Sequence, residues 1–166
     1  PGIFGSSVNE TIELRRLADF TRRAMPAGEG ECALPGELAA FVARLGDLLH
    51  RDDLAPMGFW RAAGALKESY RASVFMGFSG AEATMPFADL RRFLADVSGF
   101  LDRAIARART PQGVVTYFAC EVAEYEQRDG GVEVLGFRQR PLPMFLEGFV
   151  HAMRIARAYR LRDRRA

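Results

Sequence analysis

The chain has 166 residues, 49% hydrophobic and 27% charged, which are the proportions of a folded domain and not of a disordered tail. Its 23 basic and 21 acidic residues leave a net charge of +2, too balanced to announce a polyanionic partner; Lys67 is the only lysine. No run approaches the roughly 20 apolar residues that cross a bilayer, and no secretory leader is visible at Pro1–Gly5. Cys32 and Cys120 stand far apart, outside any CxxC or Cys/His cluster. The expectation is a cytoplasmic chain with both thiols reduced, a single bridge between them being the alternative. Because the first residue is proline, the sequence is expected to be processed or cut from a longer chain.

Taken in order, Ser7 to Met25 places Val8, Ile12, Leu14, Leu17, Ala18 and Phe20 at helical spacing, with Ser7 and Glu10 as a capping box. Pro26-Ala27-Gly28 ends this helix, and a glycine- and glutamate-rich loop runs through Cys32. Pro35 opens a second helix with the stripe Leu38, Phe41, Val42, Leu45, Leu48 and Leu49, closed by His50-Arg51-Asp52-Asp53. A third runs from about Pro56 to Val74, followed by the loop Phe75-Met76-Gly77-Phe78-Ser79-Gly80. A fourth spans about Pro86 to Arg109, with Leu90, Phe93, Leu94, Val97, Phe100, Leu101 and Ile105 on its apolar face.

The period then changes. Val114 to Val122 is β-branched and aromatic, and Asp129-Gly130-Gly131 is a turn signal, so a β-hairpin is expected over about 114–126 and 132–138. A last helix follows Arg140-Pro141-Leu142-Pro143, with Phe145, Leu146, Phe149, Val150, Met153 and Ala156 facing inward. No internal repeat stands out. The expected fold is mainly α: a single helical domain over 1–166, a bundle of about five helices with one β-hairpin (114–138) inserted before the last.

Phosphate-loop, dinucleotide, HExxH and GxSxG signatures are absent, and His50 and His151 are the only histidines. Neither a metal site nor a cofactor is expected. On a regular strand Glu124 and Glu126 share one face and Glu121 the other, so no more than two of these carboxylates converge. Their ordinary role is a solvated sheet face. Glu147 and His151, four apart, share a helix face; the carboxylate can orient the imidazole for acid–base work, or the pair can be structural. The arginines Arg154, Arg157, Arg160, Arg162, Arg164 and Arg165 complement a helix C-terminus, and with only Tyr159 interleaved they make a poor nucleic-acid surface. No membrane-surface role is expected, since the apolar stripe of this helix is needed for the core. Candidate ligand-binding residues are Tyr117, Glu121, Arg140, Glu147 and His151, a set whose ring and fixed donors would suit a sugar.

Several phrases carry a family likeness. Tyr70-Arg71, Val74, Gly77-Phe78-Ser79-Gly80, Asp89-Leu90-Arg91 and Phe93-Leu94, then Thr116-Tyr117-Phe118 with Glu121-Val122, then Arg140 through Gly148 with Val150 and His151, together resemble a helical or linker segment. The proteins in question are large carbohydrate phosphorylases of the cellobiose-phosphorylase type (glycoside hydrolase family 94-like). The likeness covers about residues 57–153. It implies a carbohydrate context, in a parent several times longer that cleaves or builds β-glucosidic bonds with phosphate. None of that family's barrel residues is carried over to positions here. The expected function is a non-catalytic helical module of such a protein, its partner the remainder of a larger chain, with carbohydrate nearby. The alternative is a free-standing interaction protein forming a homo-oligomer through its hairpin edge and first two helices.

Overall fold

The computed structural model describes residues 5–111, 113–143, 150, 153, 154 and 157. Contacts divide the chain into two compact units, Pro1–Leu17 with Leu101–Ala166 and Ala18–Phe100, the boundary falling within a helix in both places.

In the first unit, Gly5–Ser7 (β1) leads directly into Val8–Ala24 (α1). Ser7 Oγ accepts the Glu10 backbone N–H at 3.4 Å, so the expected cap forms at this helix start. The end of Phe87–Arg107 (α4) brings Ile105 and Ala108 against Val8 and Ile12, and Val114 and Phe118 pack on this cluster. Arg15 donates to Asp102 at 2.9 Å, a part-buried ion pair beside the cluster. A small ribbon of Arg109–Thr110 (β4) and Gly113–Val114 (β5) precedes two long strands, Tyr117–Arg128 (β6) and Gly131–Pro141 (β7). The order in the main sheet is β1-β6-β7, antiparallel throughout. β1 covers β6 only at Tyr117, Phe118 and Ala119, so the rest of the hairpin extends past it as an arm.

Thr116 is 1% exposed, and its hydroxyl meets no hydrogen-bond partner, although its carbonyl accepts the Val8 N–H at 2.9 Å. A buried hydroxyl left unpaired carries a desolvation cost of about 1–3 kcal/mol. Thr116→Val should therefore stabilise the protein by about 1 kcal/mol, read as a higher midpoint in urea unfolding.

The second unit repeats a motif. Glu31–Pro35 (β2) runs into Gly36–Leu49 (α2), and after Pro56–Val74 (α3) the strand Glu82–Pro86 (β3) runs into α4. The two strands pair antiparallel about Ala33 and Thr84. Glu31 and Pro35 match Glu82 and Pro86 at a spacing of 51; Leu38, Phe41, Ala43 and Leu49 then match Leu90, Phe93, Ala95 and Leu101 at 52. The flanking hydrogen bonds obey the same symmetry: Gly36 N–H to Ala81 O at 2.8 Å, Phe87 N–H to Gly30 O at 2.9 Å. The alternation of bonded pairs leaves both prolines at positions whose N–H the ladder does not use, so each can end a strand and open a helix without loss. Ring contacts join the helices, Phe41 with Tyr70 at 4.8 Å and Phe59 with Phe100 at 4.9 Å.

This corrects the expected five-helix bundle with a single hairpin. The fold is α+β: four continuous helices among the described residues, with three antiparallel sheets. Residues 31–35, read as loop and helix opening, form β2; residues 82–86, read as a lead-in, form β3. The repeat absent from the linear reading becomes visible once the strand register aligns its two copies. The hairpin strands lie at 117–128 and 131–141 and not at 114–126 and 132–138, because Gly113 and Val114 pair instead with β4. Of the expected last helix, Val150, Met153, Arg154 and Arg157 are helical; the other positions lie outside the described residues. Cys32 and Cys120 are both free thiols.

Candidate functional site

Tyr117, Glu121 and Arg140 come onto one face of the hairpin. Tyr117 and Glu121 are four residues apart on β6, and Arg140 stands opposite Ala119 between them. Tyr117 is buried, and its carbonyl accepts the Leu142 N–H at 2.9 Å. Glu121 and Arg140 are exposed and form a loose pair, Oε1 to Nη2 3.8 Å. Such a pair contributes well under about 1 kcal/mol and mainly fixes where the charges sit. Glu147 and His151, the other two candidates, lie outside the described residues.

The carboxylates are arranged differently from simple alternation. Val122 faces Phe137, Glu124 faces Gly136 and Tyr125 faces Val134, so Ala123 on one strand and Leu135 on the other face no partner. This double irregularity resets the alternation. A Cβ built on Gly136 lies 3.6 Å from that of Glu124, and Gly136 alternates with Arg138, which faces Glu121. Glu121, Glu124 and Glu126 therefore share a face, which corrects the expected split. Glu126 stands directly opposite Glu133, a like-charge pair that Arg128 relieves by reaching both, at 3.1 and 2.8 Å. Acid–base work on a sugar needs two carboxylates flanking one bond in unlike surroundings. Here they share one open, arginine-balanced face.

The reset has its counterpart on the other side. Phe118, which packs on the core, is followed on its face by Cys120 and then Val122 opposite Phe137, and past the irregularity by Tyr125 opposite Val134. Val132 follows, facing Gln127. Val122, Tyr125, Val132 and Phe137 are between 40% and 62% exposed. The arm is thus amphipathic: charged on one face, and apolar on the face continuous with the core.

A second exposed apolar feature is the loop after α3, where Phe75 and Met76 are 84% and 92% exposed. It is the Gly77–Gly80 phrase, anchored by Glu37 of α2, whose carboxylate accepts the Ser79 backbone N–H at 2.8 Å. The loop before β2 is held from the other helix of the repeat: the Arg91 guanidinium donates to the Pro26 and Gly28 carbonyls at 2.8 and 2.7 Å. One loop is braced by an anion and its twin by a cation.

The Ser79 hydroxyl and then its N–H hold the Glu37 carboxyl below the usual 4.5. A depressed carboxyl pKa stabilises the anchored state above the unfolded value, and the contribution is lost as pH falls through the folded one. Protection of the Ser79 amide from hydrogen exchange, compared with an unanchored loop amide, should be constant above pH 5 and fall below about 4.5. In Glu37→Gln this step should be absent.

Among the described residues no group of three or more His, Cys, Asp or Glu is placed to hold a metal ion, and no helix is long and apolar enough to cross a membrane. No family model matches the chain, and no curated protein does.

Proposed function

We propose that this chain is a non-catalytic α+β module of a larger glycan-processing protein, β-glucan phosphorylase-like in kind, and that the apolar face of the arm seats against the rest of that protein. The observation that carries the reading is that face. Four large side chains stay well exposed on a two-stranded arm, while every charge is gathered on the opposite side. Two strands alone are marginal in water, so an arm of this length gains its order from a further surface. The resemblance of its phrases to the cellobiose-phosphorylase type supports a glycan context, and the exposed Phe75–Met76 loop offers a second apolar contact.

The test uses the isolated chain. It should bind an apolar-surface dye and sediment as a monomer, and the double variant Val122→Glu, Val132→Glu should lose a measurable share of the dye signal, more than the same change made at Phe75 and Met76. Its melting temperature should move by no more than a few degrees, because both side chains are exposed. Incubated with β-linked gluco-oligosaccharides and phosphate, the chain should release no sugar phosphate. A dimer that this double variant dissociates would replace the reading with the homo-oligomeric one. Phosphorolysis by the chain alone would overturn the non-catalytic assignment.

A further inference from the structure

We draw no further inference here: the strongest candidate, the exposed apolar side of α1 that carries Leu14, Leu17 and Phe20, carries nothing because nothing in the structure shows what covers it.

Discussion

Ile105→Ala should destabilise the protein by about 3–4 kcal/mol, the largest effect expected of any single side-chain truncation in its cluster. Ile105 is 2% exposed, and it is packed with Val8, Ile12 and Ala108 where the start of α1 and the end of α4 meet, under Val114 and Phe118. Val8 and Ile12 are fixed on α1, Ala108 follows Ile105 at the end of its own helix, and Val114 and Phe118 are held on β5 and β6, so the space left behind closes only in part. At this chain length each kcal/mol is about 2–4 °C, so the melting temperature should fall by roughly 10 °C. Ile105→Val, which removes one methyl, should cost about 1 kcal/mol. Urea unfolding of the two variants, with the slope unchanged, checks both figures. Equal losses for the two would mean that the cluster is not the packing centre described above.

The second expectation compares two prolines on one ladder. Ala83 faces Leu34 in a pair that exchanges both backbone hydrogen bonds, whereas Ala33 faces Thr84 in the intervening pair that exchanges none. Ala83→Pro removes a donor that the β2–β3 ladder uses and should cost about 2–4 kcal/mol. Ala33→Pro removes one that the ladder does not use and should cost about 1 kcal/mol, chiefly from a changed backbone angle. The side-chain change is the same in both, so the difference in unfolding free energy isolates the hydrogen bond. Reversal of the order would mean that the register is shifted by one residue.

The helices were the legible part of the sequence. α3 runs from Pro56 to Val74 as its proline start and glycine-marked exit imply, and α1, α2 and α4 differ from their expected ends by a residue or two. Long periodic stripes report a buried side whatever it packs against. β2 and β3 were illegible for a physical reason. Five residues give hardly more than two periods of alternation, and Pro35 and Pro86 read as helix openers when each also closes a strand. The arm was visible through Asp129-Gly130-Gly131, where Gly130 takes a φ of 107° that suits glycine. Its faces were not, since residues opposed to nothing leave no trace in composition. Of the candidate site, Tyr117, Glu121 and Arg140 do share a face, but strand alternation says nothing about whether that face is enclosed, and Glu121 and Arg140 lie open.

The symmetry of β2 and β3 has a consequence for how their unit assembles. Each strand finds its ladder partner only in its twin, some fifty positions along the chain, so neither copy of the motif can mature while the other is still unmade. A ribosome must release the later copy before the earlier one closes. The intervening α3 is then a tether, whose length sets how soon the halves meet.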